Sequence, residues 1–369
     1  MTDSYLLTPG PLTTSDRVKR AALKDWGSRD ADFIALTQSV RTRLLDIANA
    51  TTGYTTVPVQ GSGTFAVEAM LGTFAPPDAK TLVLVNGAYG RRIAEILEIL
   101  ERPFDIYETD EVVAPSPEAV SKRLAADPGL ACVVMVHCET TSGIQNPLSE
   151  IARIVRSAGR QLLVDAMSTF GAIPIDAGST PFAALAASAN KCLQGVPGVG
   201  FVICDTEVLE TRSRASHSLS LDLWAQWRGF EGNGQWRFTP PTHVLACLAE
   251  ALDELEAEGG PESRVARYRK NCDLLISGMA QRGFRTLVPR ALQAPIIVTF
   301  ESPTGPDWDF EAFYQALKAR GYSIYPGKLT KLDSFRIGCI GALDQSVFEG
   351  VLTAIDEAYA ELRDVCARE

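Results

Sequence analysis

Only three histidines occur in 369 residues, and the eight cysteines are scattered singly at 132, 138, 192, 204, 247, 272, 339 and 366, with no CxxC pair. A zinc site built on cysteine and histidine spacing is therefore not expected, and no metal ligand is assigned. Several cysteines lie in apolar runs such as ACVVMVHC and FVIC, as buried free thiols in a reducing cytoplasm do. No stretch reaches the roughly eighteen apolar residues of a membrane span. The amino terminus MTDSYLLTPGPLTT lacks the basic and long apolar regions of a signal peptide. Basic residues are outnumbered, 35 against 45 acidic, for a net charge of −10. That balance argues against nucleic acid or an anionic membrane as partner, so an anionic substrate needs a local positive pocket. GxxxxGK[ST] and GxGxxG are both absent, which removes the common nucleotide-binding loops.

What remains is the balance of a globular protein, 46% apolar and 22% charged, long enough for two domains. Apolar runs alternate with helical patterns through the first two-thirds of the chain. TTVPVQ leads into GSGTFAVEAMLGTF, TLVLVNGAYG into RRIAEILEIL, and FDIYET, ACVVMVHCETTSG and RQLLVDAMSTFG follow with helices between them. Continuous rather than alternating apolarity marks strands covered on both faces, hence an α/β fold with a mostly parallel sheet. After about residue 240 come two long helical patterns, then PIIVTFES, DFEAFYQALKARG, FRIGCIG and a last helix, which read as a smaller α+β layer. The division expected is an amino-terminal segment 1–20 associated with the active site and small layer, a large domain 21–258, and a small domain 259–369.

Ligands of such open sheets bind beyond the carboxyl ends of the strands. Gly61-Ser62-Gly63-Thr64, Asn86-Gly87-Ala88-Tyr89, Glu139-Thr140-Thr141-Ser142, Asp165 and Lys191 all fall there. Each has a plain alternative. GSGT alone is best read as a helix-capping turn, Asp165 as a cap or buried ion pair, Lys191 as a surface lysine, Tyr89 as a core or cleft aromatic, and Arg336 as a boundary salt bridge. His137 and Cys138 read as core residues. The order is what tips the balance. A glycine–hydroxyl phosphate loop, then a strand-terminal aspartate able to pair with a protonated ring nitrogen, then a lysine amine able to form a Schiff base, together favour a pyridoxal phosphate site over the plain alternatives.

LLTPGPL, QGSGTFAVEAMLGTF, VNGAYG, HCETTSGIQNP, VDAMSTFGAIPID, SANKCLQGVPGVGF, RFTPPTHV and FRIGCIG together resemble the class V, fold-type I pyridoxal-phosphate aminotransferases, in that family's order and over essentially the whole chain. The resemblance implies pyridoxal 5'-phosphate held by Lys191 as Schiff base and Asp165 at the ring nitrogen. It implies Ser62, Gly63 and Thr64 at the phosphate, Tyr89 stacked on the ring, and Thr140 near the phenolic side. Arg336 would bind a substrate carboxylate. Thr239 and Thr242 would reach the phosphate site of a neighbouring subunit, implying a homodimer. Asn190 stands where alanine–glyoxylate and serine–pyruvate enzymes have Gln, which favours the branch that moves the amino group of 2-aminoethylphosphonate to pyruvate. Those two activities are the alternatives within the class, and a non-catalytic binding protein is the alternative outside it. Arg91, Arg92 and Arg336 are the candidates for the phosphonate.

Overall fold

The structure, a computed structural model, describes residues 4–305, 308–327, 329 and 332–366. Its centre is a seven-stranded sheet of β1 (Tyr54–Gln60), β2 (Lys80–Val85), β3 (Phe104–Glu108), β4 (Leu130–Val136), β5 (Gln161–Asp165), β6 (Ala184–Ser188) and β7 (Val199–Asp205). The spatial order is β1-β7-β6-β5-β4-β2-β3. The alternate side chains of these strands enter two different cores. Val133, Met135, Leu162 and Val164 face one side, while Cys132, Val134 and Leu163 face the other. Burial on both faces is why the runs are apolar without a break.

The chain is α/β, as the sequence implies, but one strand is reversed. β3, β2, β4, β5 and β6 pair in parallel, whereas β7 runs antiparallel to both β6 and β1. The cause is the short link over residues 189–198, which cannot hold the helical crossover that a parallel return needs. Lys191 sits in that link. β6 itself, ALAAS, carries little strand propensity of its own. It is a strand because it is paired on both edges. Small residues here also let helix α1 (Gly63–Phe74) approach closely: a Cβ added at Gly200 of β7 would lie 2.8 Å from the Ala66 Cβ.

The carboxyl-terminal layer is a three-stranded antiparallel sheet, Ile297–Glu301, Ser334–Gly338 and Tyr325–Pro326. Helices Gly260–Gln281, Phe310–Ala319 and Gln345–Cys366 accompany it. It has a core of its own around Phe300, Phe335, Phe348 and Leu275. The helix Thr242–Glu258 is separated from Gly260–Gln281 by the positive φ of Gly259 and Gly260, a conformation glycine adopts without steric cost. Tyr5–Leu6 pairs in parallel with Tyr322–Ser323, and the Gly338 N–H donates to the Leu7 carbonyl. The amino-terminal segment is thereby fixed to this layer before it runs on towards the large sheet.

Candidate active site

The predicted polar residues converge at the carboxyl ends of the parallel strands. A cleft is lined by Gly63, Thr64, Tyr89, Thr140, Asp165 and Lys191, together with Arg92, Cys138, Met167 and Ser168. Asp165 is the last residue of β5, Lys191 follows β6, and Gly63 opens α1 after β1. Tyr89 lies in the first turn of helix α2 (Ala88–Ile99), directly after β2.

Asp165 is only 7% exposed, and one carboxylate oxygen accepts the Met167 N–H at 2.9 Å. Burial, reinforced by the nearby Glu139, raises its pKa to about 6 against the opposing pull of that hydrogen bond, Lys191 and Arg92. A carboxylate in this setting is stabilised by a cationic partner.

Lys191 is half-buried, and its Nζ donates to the Gly10 carbonyl at 2.8 Å. Gly10 lies so near that an added Cβ would stand 2.5 Å from Lys191 Cδ and 2.6 Å from the Asn190 carbonyl oxygen, at a φ of +106°. Both the contact and the dihedral demand glycine. Gly10→Ala is expected to displace the lysine, lowering kcat at least about tenfold and stability by about 1–3 kcal/mol. Steady-state kinetics and thermal melting would check this; unchanged kcat would mean that the approach of residue 10 does not set the lysine.

Glu139 organises the opposite wall. Fully buried, its carboxylate accepts the N–H groups of Tyr89 at 3.1 Å and Gly90 at 3.3 Å and the Thr141 hydroxyl at 2.7 Å. An acidic group on the first turn of α2 meets the positive end of the helix dipole, and it fixes the backbone that carries Tyr89. Burial still raises its pKa. Gly87 leaves room for it, since a Cβ there would fall 2.3 Å from the Glu139 Cγ.

Other predicted residues are placed less simply. Ser62 is the N-cap position of α1, yet its hydroxyl caps no N–H. Arg91 forms an ion pair with Glu108 at 2.6 Å and does not line the cleft, whereas Arg92 does. Arg336 is 1% exposed; its Nε donates to the Pro326 carbonyl at 3.0 Å and its Nη1 to the Thr140 carbonyl at 2.8 Å. It stands behind Thr140 rather than in the cleft wall. Thr239 lines a separate surface cleft with Gly61, Phe65 and Phe238, and Thr242 starts the helix Thr242–Glu258. Neither lines the cleft that holds Lys191. His137 is a core residue, its ring Nδ1 2.9 Å from the Thr169 hydroxyl, with burial pushing its pKa down to about 4. Cys138 is equally buried but also borders the cleft. Met167, Ser168 and Gly10 carry no chemical signal in sequence. Glu139 carried one, an acid at the end of an apolar run.

The family model for class-V aminotransferases matches residues 17–329. The chain belongs to the class-V aminotransferases. The resemblance carried by its motifs is borne out. This aminotransferase is 53% identical to a 2-aminoethylphosphonate–pyruvate transaminase of Pseudomonas aeruginosa (strain UCBPP-PA14), over 97% of the chain and 96% of the relative. It is also 53% identical to a protein of the same name from Rhizobium meliloti (strain 1021), over 98% and 95%. Its fold is that of pyridoxamine–pyruvate aminotransferase from Mesorhizobium loti, with TM-score 0.89, 24% identity, and coverage of 98% of this chain and 93% of that one.

Proposed function

We propose that this aminotransferase moves the amino group of 2-aminoethylphosphonate to pyruvate, giving phosphonoacetaldehyde and L-alanine, with pyridoxal 5'-phosphate as cofactor. The observation that carries the reading is 53% identity, over nearly the full length of both chains, to relatives bearing that name. Alanine–glyoxylate and serine–pyruvate transfer are not favoured.

The residues of the cleft fit the cofactor. The buried Asp165 carboxylate, with a pKa raised to about 6, suits a protonated ring nitrogen. Gly63, at the start of α1, lines the cleft and admits no side chain, since an added Cβ would fall against Met167 Sδ. Lys191 would hold the cofactor covalently, Tyr89 would cover its ring, Thr140 would stand at its phenolic side, and Ser62, Gly63 and Thr64 would receive its phosphate at the positive end of α1. When bound, the cofactor supplies an aldehyde that takes up the amino group and an electron-poor ring that draws charge from the reacting carbon.

The protein's part is then positional and acid–base. Lys191 Nζ would carry the proton that transamination shifts, and the Gly10 carbonyl gives its ammonium form a resting acceptor. Asp165 would keep a proton on the ring nitrogen. Tyr89, fixed through its own N–H by Glu139, excludes water from one face of the ring.

Arg336 binds the carboxylate of pyruvate and alanine in this reading. Its two hydrogen bonds to backbone carbonyls hold the guanidinium without using Nη2. Lysine keeps the charge but not the planar fork, so Arg336→Lys is expected to lower kcat/KM for pyruvate at least about tenfold. Single-turnover spectra with each amino donor would locate the loss. No loss with either donor would leave Arg336 as a tether between the small sheet and Thr140.

The enzyme acts as a homodimer, with Thr239 and Thr242 of each chain completing the phosphate site of the other. Support comes from the exposed apolar side chains Phe65, Phe238 and Leu219 near that segment. Light scattering reads the oligomeric state directly. The enzyme works in the cytoplasm; Cys132, Cys138, Cys192, Cys204, Cys247, Cys272 and Cys339 are free and buried, as thiols of a reducing compartment are. A substrate panel tests the whole reading. Exchange between 2-aminoethylphosphonate and pyruvate should exceed alanine–glyoxylate and serine–pyruvate exchange by orders of magnitude, and the reverse ranking would overturn it.

A further inference from the structure

The hydroxyls and backbone N–H groups at the start of α1 carry no full charge, whereas a phosphate ester carries up to two. A helix N-terminus contributes the equivalent of about half a positive charge. A phosphate bound there is left under-neutralised unless a cation stands within reach.

Arg92 is the cation of this wall. It lines the same cleft as Gly63 and Thr64, and its Nη1 donates to the Thr64 hydroxyl at 3.4 Å. Its guanidinium carbon lies 5.1 Å from the centroid of the Tyr89 ring. Among the described residues Arg92 forms no ion pair, in contrast to its neighbour Arg91, which Glu108 neutralises. The placement follows from helical spacing: positions 89 and 92 are three apart on α2 and share a face. Tyr89 and Arg92 are therefore presented together, one offering a ring face and the other a planar cationic fork. The bond from Arg92 to Thr64 joins α2 to the first turn of α1, where the phosphate loop of the sequence begins.

We infer that Arg92 is a further cofactor-binding residue, supplying the positive charge that holds the phosphate of the cofactor against Gly63 and Thr64. Arginine suits this because its parallel N–H groups match two oxygens of a tetrahedral anion. The substrate phosphonate is the other tetrahedral anion in the reaction, but the contact to Thr64 places Arg92 at the helix that receives the cofactor. The inference rests on the reading of pyridoxal 5'-phosphate as cofactor and not on the identity of the amino donor.

The test compares pyridoxal 5'-phosphate with pyridoxal, which lacks the phosphate, as ligands of the cofactor-free full-length protein, by equilibrium absorbance titration. In the unmodified protein the phosphorylated ligand should bind far more tightly. Arg92→Ala is expected to weaken binding of pyridoxal 5'-phosphate at least tenfold while changing pyridoxal binding less than twofold. Arg92→Lys should recover part of the loss. Thermal melting of both variants without ligand verifies that each is folded, and the lysine variant keeps the comparison valid if the alanine variant is not. Equal losses for both ligands would overturn the inference, leaving Arg92 as a support for the Tyr89 ring. Unchanged binding of both, with a loss confined to single turnover of 2-aminoethylphosphonate, would also overturn it and assign Arg92 to the substrate phosphonate. Failure of the unmodified protein to bind pyridoxal 5'-phosphate would instead remove the cofactor reading itself.

Discussion

Lys191→Ala abolishes multiple-turnover transamination while the protein remains folded: this is the largest effect expected of any single substitution here. The side chain is half-buried, its Nζ donates to the Gly10 carbonyl, and the link that carries it is also held by the Gly195 N–H to the Ala189 carbonyl. Removing it should therefore alter stability by no more than about 1 kcal/mol. The chemical loss is of another order. In the proposed mechanism the covalent hold on the cofactor and the proton carrier would disappear together, and a positioned acid–base alone contributes about 10²–10⁴-fold. Turnover assays with 2-aminoethylphosphonate and pyruvate, alongside thermal melting, measure both. Ordinary turnover in this variant would remove Lys191 from the mechanism.

Asp165→Ala comes second, with an expected loss of at least about two orders of magnitude in kcat, or ~3 kcal/mol of barrier. A ring nitrogen without its carboxylate partner loses its proton and accepts carbanion charge poorly. A change under about threefold would make Asp165 a structural residue. The same carboxylate leaves a signature in the cofactor-free protein. Its pKa is raised from 3.8 to about 6 on folding, chiefly by burial. The folded state thus holds the proton more tightly than the unfolded one, and stability falls as pH rises from about 4 to about 6. Above that window the penalty is complete, on the order of 3 kcal/mol; below it the group is neutral in both states and the penalty vanishes. Asp165→Asn should therefore stabilise the cofactor-free protein at pH 7 and leave it nearly unchanged at pH 4. Denaturant unfolding at the two pH values reads the difference.

The sequence revealed residues whose chemistry is carried by their own side chains. Asp165 announced itself as a charge ending an apolar strand, and Lys191 as a lysine between small residues and a glycine-rich link. The parallel core was legible because burial on both faces removes polar residues from Leu130–Val136 and its neighbours. What escaped was set by contact rather than by residue type. β6 is alanine-rich and becomes a strand through pairing at both edges. β7 runs backwards because of a link length that only the flanking strands define. Gly10 looks like any turn glycine until Lys191 is found against it. Arg91 and Arg92 are indistinguishable in the sequence, and the 100° between successive helical positions separates them, one towards Glu108 and the other into the cleft.

The hydrogen bonds that bind the site to the rest of the chain span long stretches of sequence. Lys191 to Gly10 closes a separation of 181 residues, and Arg336 to Thr140 one of 196. Such pairings are slow to form, because loop closure must precede any return from the contact. They also order events during synthesis. The seven strands of the large sheet are all made by residue 205, and they can pair while the rest of the chain is still being assembled. The support behind Thr140 cannot arrive until residue 336 has left the ribosome. A nascent chain therefore passes through a stage in which the sheet is present and Thr140 lacks the arginine that supports it.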